Sequence, residues 1–311
     1  MNRFRADLML LMGTLIWGAT FIAQKQANES MGPLTFVGVR FLLSFLTLVP
    51  FALYEARQST VVRLAANDLG LAALISLCLF TGAGLQQSGL VTTTATNGGF
   101  LTALYVIFVP LIVWALTGVK PRAVLIAACL LSLTGAWLLT VKGPLRRLNS
   151  GDALVLLADI SWATHIALAP IFLKRAQRPF FLACFQYGVV AAMGLVAGFV
   201  LESSTVDGFG VGLDAAIPSI LFAGLLSGGV AFTFQILAQR YTPAPEAALI
   251  MSLEAVFAAI AGAFMLSEPL TPAAALGCVL ILLGVALVEV GPVVKIHSMA
   301  KALKNLLGLR N

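Results

Sequence analysis

Several ionisable side chains lie inside long apolar stretches of the sequence, and these are the first candidates for binding or proton transfer. They are Arg40, Asp159, His165, Glu254 and Glu289. A charged Asp, Lys or Arg at the centre of a membrane-spanning helix costs about 2.5 to 3.5 kcal/mol on insertion scales, so each should face protein or water. Glu289 and Glu246 fall near predicted helix ends and can reach the interface. For Arg40, a structural role in clamping carbonyl groups or an acidic neighbour is the alternative to a functional one.

Asp159, Trp162 and His165 are spaced three residues apart, which places them on one 120° face of a helix with the indole in the middle. An equivalent polar–aromatic–polar face occurs on the first helix, at Thr14, Trp17 and Thr20. Two such faces predict opposite walls of one cavity. The alternative is that both tryptophans are packing residues at the centre of a helix bundle.

Amide and hydroxyl side chains recur at comparable depth in other apolar stretches. They are Gln86 and Gln87, then Asn97, Thr102 and Tyr105, and in the second half Gln235 and Gln239. Buried groups of this kind need partners, so the cluster predicts either hydrogen bonds between helices or a polar ligand.

Glu254 is the sharpest single signal, because it lies near the middle of its apolar stretch, about opposite Val106 of the first half. A carboxyl that occurs in only one of two related halves indicates a substrate or coupling group, with Asp159 or His165 as its candidate partner. A structural hydrogen bond to a neighbouring helix is the alternative. The predicted substrate-binding residues are Trp17, Thr20, Gln86, Asn97, Tyr105, Asp159, Trp162, His165, Gln235 and Glu254.

Signatures of enzyme chemistry are not found in the sequence. It contains only two histidines, so a His-based metal site is improbable, and no GxSxG motif positions a nucleophilic serine. The pairs Gly98-Gly99 and Gly228-Gly229 do not follow predicted strands, which argues against a phosphate-binding loop. We therefore expect no enzyme, no catalytic residues, no metal and no cofactor.

The composition is that of a membrane protein. Hydrophobic residues make up 60% of the 311 residues and charged residues 10%, with a mean hydropathy of +0.99, whereas soluble domains carry about 25% charged residues. The net charge of +6 is spread over loops rather than concentrated on one face, so we expect no nucleic-acid partner. The predicted spans are 7–26, 33–54, 69–88, 94–117, 122–141, 152–173, 180–201, 215–239, 244–266 and 272–294.

The two halves of the chain repeat each other. Ile16-Trp17-Gly18-Ala19-Thr20 recurs as Ser161-Trp162-Ala163-Thr164-His165, and each half holds five spans. An odd number of spans inverts the second half relative to the first, and inverted repeats around a central cavity are typical of secondary transporters. We expect an all-α polytopic protein with repeats at 1–145 and 146–294, followed by a basic amphipathic cytoplasmic tail at 295–311.

Loop charge predicts the orientation. With a cytoplasmic N-terminus, inside segments hold fourteen Lys and Arg residues, and outside segments hold only Lys25, Lys142, Arg146 and Arg147. This asymmetry predicts a multi-pass inner-membrane protein with both termini in the cytoplasm.

Longer motifs give a family resemblance. The segments 84–90, 94–97 and 101–111 resemble the first repeat of the drug/metabolite transporter superfamily, EamA branch, and 252–259, 266–270 and 277–284 resemble its second repeat. The resemblance implies ten helices and a central cavity formed mainly by spans 1, 3, 4, 6, 8 and 9.

The resemblance also implies transport of a small organic metabolite across the bilayer. The aromatic and amide lining favours export of amino acids with aromatic or other apolar side chains, by alternating access, with protons as a candidate coupling ion. Multidrug or organic-cation efflux is the nearest alternative. An intramembrane enzyme and a non-transporting subunit are more distant ones. Substrate identity, transport direction, coupling and oligomeric state do not follow from the sequence.

Overall fold

The computed structural model describes residues 1–58, 63–140, 149–202, 212–265 and 271–289, and these fold entirely as helices and their connections. The helices are α1 (Arg3–Ala27), α2 (Pro33–Ala56), α3 (Ala66–Gly89), α4 (Ala95–Thr117), α5 (Ala123–Thr140), α6 (Ser150–Ala176), α7 (Pro179–Glu202), α8 (Leu213–Ala238), α9 (Ala244–Met265) and α10 (Pro272–Glu289). The predicted tail at 295–311 lies outside the described residues.

Each predicted span corresponds to one of these helices. Among the described residues, nine helices are long and apolar enough to cross a membrane, and Ala123–Leu139 forms a shorter apolar helix. The all-helical prediction is therefore confirmed. It follows from the need to pair every backbone N–H and C=O within a segment surrounded by hydrocarbon.

Packing between the helices follows the inverted repeat. Helix α2 packs mainly on α7 and α5 mainly on α10, and α4 contacts α9, so three pairs of counterpart helices contact each other. The contact of α3 with α6 recurs as α8 with α1, and that of α1 with α9 recurs as α6 with α4. Exchanging the two repeats therefore preserves the pattern of contacts, as an inverted repeat requires.

Glycines allow the closest of these contacts. A Cβ atom on Gly194 of α7 would lie 2.7 Å from the Cα of Gly38 on α2, and one on Gly38 would lie 2.6 Å from the backbone nitrogen of Leu195. The related pair Gly135 and Gly277 brings α5 and α10 together in the same way. Small residues, which drive such packing in membranes, therefore occur at these close contacts in both repeats.

Helices α2 and α7 also cap each other. The N–H groups of Leu34 and Thr35, at the start of α2, donate to the Glu202 carboxylate at 2.7 and 2.9 Å. At the other end of the pair, the N–H groups of Phe180 and Phe181 donate to Glu55 at 3.1 and 2.8 Å. Each carboxylate therefore satisfies backbone donors of a helix N-terminus, where negative charge is also favoured by the helix dipole.

Three helices depart from regular geometry near mid-span. Helix α4 tightens between its segments Ala95–Thr102 and Tyr105–Thr117, and α9 does so between Ala244–Met251 and Glu254–Met265. Helix α8 adopts a wider π-helical path over Phe222–Phe232. This wider path coincides with Gly224, Gly228 and Gly229, whereas α3 is regular at Gly82 and Gly84.

Candidate functional site

A cavity lies between the two repeats, near the irregular turns of α4, α8 and α9. Its walls are formed by Trp17, Thr20, Phe21, Gln24, Arg40, Gln86, Thr102, Tyr105, Trp162, Ile166, Ser227, Phe232, Gln235, Met251 and Glu254. The six helices expected from the resemblance all contribute, and α2 adds Arg40.

Three aromatic rings form one wall. The Phe232 ring lies between the two predicted tryptophans, with its centroid 4.8 Å from that of Trp17 and 5.8 Å from that of Trp162. The Trp162 and Phe232 rings are inclined by only 21° and therefore stack. Phe232 is at the end of the π-helical segment, whose wider path sets where this ring enters the cavity. Such π-helical segments are frequent at functional sites.

The two indoles differ in their hydrogen bonding. The Trp162 Nε1 donates to the Gln86 Oε1 at 2.8 Å, and Gln86 in turn donates to Gln24 at 3.2 Å, which links α6, α3 and α1. The Trp17 Nε1 is buried and donates to no partner among the described residues. Trp162 is therefore partly a packing residue, as the alternative interpretation held, whereas Trp17 retains an unused donor at the cavity.

The predicted amides divide between structural and cavity positions. Gln239 donates to the Ile166 carbonyl at 3.0 Å, and Pro170, four residues later in α6, cannot bond that carbonyl within the helix. Gln87 donates to the Asn28 Oδ1 at 2.8 Å and serves as a bond between helices. Gln235, by contrast, lines the cavity.

Tyr105 and Glu254 occupy equivalent positions, because each begins the helical segment after the tightened turn of its repeat. The structure therefore corrects the alignment of Glu254 with Val106 by one residue. Tyr105 lies close enough to Glu254 to interact with it electrostatically, while the Glu254 Oε1 has no hydrogen-bond partner among the described residues. The cavity wall thus places a carboxyl with an unused oxygen at the boundary of the two repeats.

Asp159 lies behind this wall rather than on it. It is fully buried, it interacts electrostatically with Glu254, and neither of its carboxylate oxygens accepts a hydrogen bond within the described part of the chain. Of the two predicted partners of Glu254, the structure therefore brings Asp159 near and not His165.

His165 and Asn97 are also away from the cavity lining. The His165 Nε2 is 3.0 Å from the Gln186 Oε1 of α7, and Asn97 donates to the Asp152 Oδ1 at 2.8 Å. Residues three apart in a helix differ by about 60° in direction around its axis. Asp159 and His165 therefore point to either side of Trp162, towards different neighbouring helices. The prediction that this whole face lines the cavity is wrong, since only its centre, Trp162, does so.

Polar clusters lie at both ends of the bundle. At the end that holds the N-terminus, Arg3 pairs with Glu246 at 2.6 Å and with Glu289 at 3.0 Å, and Arg122 also pairs with Glu246. We call Arg3, Arg122, Glu246 and Glu289 the ionic cluster. It joins α1, α9 and α10 to the start of α5.

At the opposite end of the bundle, the hydrogen-bond donors are the uncharged side chains of Thr93 and Asn97 instead of arginines. Asp152 accepts from the Thr93 hydroxyl at 2.5 Å and from Asn97 at 2.8 Å. We call these three residues the neutral cluster. The same threonine–aspartate contact recurs at the first end, where Thr242 donates to Asp7 at 2.7 Å, so the two ends share a plan that follows the repeat.

The sequence matches the EamA-like transporter family twice, over residues 4–141 and again over residues 149–290. The chain belongs to the EamA-like transporter family. An uncharacterized transporter of Archaeoglobus fulgidus is 33% identical over 288 residues, which cover 93% of this chain and 87% of the relative. The uncharacterized transporter YwfM of Bacillus subtilis is 26% identical over 290 residues, which cover 92% of this chain and 94% of that protein.

Two further comparisons add a partial relative and a shared fold. The uncharacterized inner membrane transporter YedA of Escherichia coli K12 is 32% identical over about half of each chain, 52% and 53%. A solved crystal structure shares the fold with a TM-score of 0.75 at 18% identity, covering 93% of this chain and 98% of that one. The family match, together with the nine helices of the described residues that can span a membrane, identifies the protein as a multi-pass membrane transporter.

Sequence reasoning did not place Arg40, Phe232 or Gln24 in the cavity of this EamA-like protein. Arg40 carries a signal, since it is a cation inside an apolar stretch. Phe232 and Gln24 carry none, because phenylalanines are frequent in spans and Gln24 lies near a predicted helix end.

Proposed function

We propose that the protein exports amino acids with aromatic or other apolar side chains across the inner membrane by alternating access. The observation that carries the proposal is the composition of the cavity wall. It combines the adjacent rings of Trp17, Phe232 and Trp162 with the carboxyl group of Glu254. Ring faces suit an apolar or aromatic side chain, and a carboxylate suits an ammonium group.

The inverted repeat supports alternating access. Both ends of the bundle carry clusters built on equivalent positions, so one arrangement can open the first end and its symmetry-related arrangement the second. The family membership supports transport as such, and the names of its relatives carry no substrate.

Organic-cation efflux is the second candidate, and one observation favours it. Glu254 has an unpaired oxygen and lines the same cavity as the aromatic rings, which is the chemistry that binds ammonium groups. A cation exporter would need no group for a substrate carboxylate.

A vesicle assay separates the candidates. Purified protein is reconstituted into liposomes and tested for counterflow of labelled amino acids, aromatic cations and sugars. We expect uptake of phenylalanine, tryptophan or leucine above protein-free liposomes. Uptake confined to cations would replace the proposal with the second candidate, and uptake confined to sugars would contradict both.

A further inference from the structure

Arg40 is a buried cation on the cavity wall. Its residue is only 3% exposed, and the described part of the chain offers it neither an ion pair nor a hydrogen bond to its side chain. Desolvating a guanidinium is costly unless a partner compensates it. The expectation that Arg40 clamps carbonyls or an acidic neighbour is therefore not met.

Two aromatic rings hold the guanidinium in place without neutralising it. Its central carbon lies 5.0 Å from the centroid of the Phe41 ring and 5.5 Å from that of Phe36. The ring faces attract a cation but offer no hydrogen-bond acceptor in the plane of the guanidinium. The group is thus positioned with its planar donors unused.

The backbone at Arg40 is fixed by the π-helical segment of α8. The Ser44 hydroxyl donates to the carbonyls of both Arg40 and Gly224, at 3.0 and 2.7 Å. A Cβ atom on Gly224 would lie 2.9 Å from the Arg40 carbonyl oxygen, so α8 approaches α2 closely at this point. These contacts locate Arg40 beside Ser227 and Gln235 of the same helix, which also line the cavity.

A single cavity therefore holds one cation and one carboxyl, on helices α2 and α9, with unused hydrogen-bonding capacity on each. Opposite charges that are not paired with each other match a ligand that carries both charges. An arginine fork binds a carboxylate through two parallel hydrogen bonds.

We infer that Arg40 is a substrate-binding residue that recognises the carboxylate of a zwitterionic substrate, whose ammonium group faces Glu254. Arg40 thereby selects amino acids over amines of the same shape. The inference rests on the proposed function and deepens it, because it identifies which part of the cavity holds the charged end of the substrate.

Three ligands of one shape test the inference: phenylalanine, 2-phenylethylamine, which lacks the carboxylate, and 3-phenylpropionate, which lacks the ammonium group. Uptake of each is measured in liposomes with the wild type, Arg40→Gln, Arg40→Lys and the control Arg57→Gln. Arg57 is an exposed arginine just beyond the end of α2.

For Arg40→Gln, we expect the KM for phenylalanine to rise about tenfold to a hundredfold, as for loss of a hydrogen-bonded charge. Uptake of 2-phenylethylamine should stay equal or increase, which also shows that the variant is folded. Arg40→Lys should be intermediate, because it keeps the charge but loses the fork. Arg57→Gln should match the wild type.

Other outcomes separate this inference from the proposed function. If Arg40→Gln takes up phenylalanine with the wild-type KM, the inference is wrong while amino-acid transport stands. If the wild type ignores phenylalanine but takes up 3-phenylpropionate in an Arg40-dependent manner, the carboxylate site stands and the proposed function is wrong. If only 2-phenylethylamine is transported, and independently of Arg40, both are wrong.

Discussion

Glu254 and Tyr105 are the residues at which the two repeats differ most in chemistry. They follow the tightened turns of α9 and α4, they are symmetry-related, and they interact electrostatically. The Glu254 Oε1 has no partner among the described residues, so the charge of this carboxyl depends on what enters the cavity. A group that alternates between protonated and charged forms, or that pairs with an ammonium group, is needed in only one of the two repeats.

We predict that Glu254→Gln removes the response of transport to pH. The substitution keeps the shape of the side chain but removes the group that can lose a proton. In liposomes of fixed sidedness, wild-type transport should change between about pH 5.5 and 8.5 and the variant should stay flat, since an internal carboxyl titrates away from its free value. Tyr105→Phe, which keeps the carboxyl, should retain a pH response. A Glu254→Gln protein with the wild-type pH profile and substrate range would assign Glu254 a structural role.

Replacing Trp17 or Trp162 by phenylalanine should have different effects on the stability of the protein. Trp162→Phe loses the hydrogen bond to Gln86, so the free energy of unfolding should fall by about 1 kcal/mol, whereas Trp17→Phe loses none. Both should change the KM for substrate, because both indoles line the cavity with Phe232. Thermal denaturation in detergent and counterflow on the same preparations test this. Two variants that melt earlier with an unchanged KM would show both tryptophans to be packing residues.

At the scale of the helices, the carboxylates of Glu55 and Glu202 determine how α2 and α7 are aligned. Each binds two N–H groups at the start of the other helix, one pair at each end of the contact. Sliding α2 along α7 would break both sets at once, while the glycine contact between them stays close at Gly38 and Gly194. This pair therefore forms a rigid unit beside the cavity wall that carries Arg40.

Glu55→Gln and Glu202→Gln should each destabilise the protein by a similar amount, about 0.5 to 2 kcal/mol, as for the loss of a helix cap. The double variant should lose the sum, because the two caps lie at opposite ends. Unfolding in denaturant measures this, with the exposed Glu29→Gln as a control. If only one of the two variants is destabilised, the two symmetry-related caps do not contribute equally to the free energy of unfolding.

Hydropathy and turn residues predict where the helices are, because lipid requires long apolar segments and prolines favour the first turn of a helix, as at Pro33, Pro179 and Pro272. The predicted spans 33–54 and 244–266 correspond to Pro33–Ala56 and Ala244–Met265. The same signals do not indicate how each helix is rotated about its own axis, and therefore which side chains face the cavity. Asp159, Trp162 and His165 share a face in sequence, yet only Trp162 reaches the cavity. The π-helical path of α8 and the entry of Arg40 depend on contacts between distant helices, which a single sequence does not display.

For the whole molecule, the two ends of the bundle are equivalent in position and different in chemistry. The ionic cluster lies at the end that holds the N-terminus, and the neutral cluster of Thr93, Asn97 and Asp152 lies at the other. Alternating access requires that one end of the bundle closes while the other end opens. Weakening one cluster should therefore shift the population towards the state open at that end.

Cysteine labelling tests this shift and the predicted topology together. In a background without Cys78, Cys129, Cys184 and Cys278, a cysteine at Asn2 should react with an impermeant maleimide only after the cell is permeabilised, and one at Glu29 from outside. Reaction of the Asn2 cysteine in intact cells would overturn the cytoplasmic assignment of the N-terminus.

A cysteine at Thr102, a buried residue of the cavity wall, then reports which end is open. Glu246→Gln removes the acceptor charge shared by Arg3 and Arg122, so labelling of this cysteine should accelerate from the cytoplasmic side and slow from the outside. Asp152→Asn weakens the neutral cluster and should do the reverse. The opposed signs distinguish a shift between two states from a general loosening, which would accelerate labelling from both sides in both variants. Unchanged labelling in both would mean that these clusters stabilise the helix ends and do not control access to the cavity.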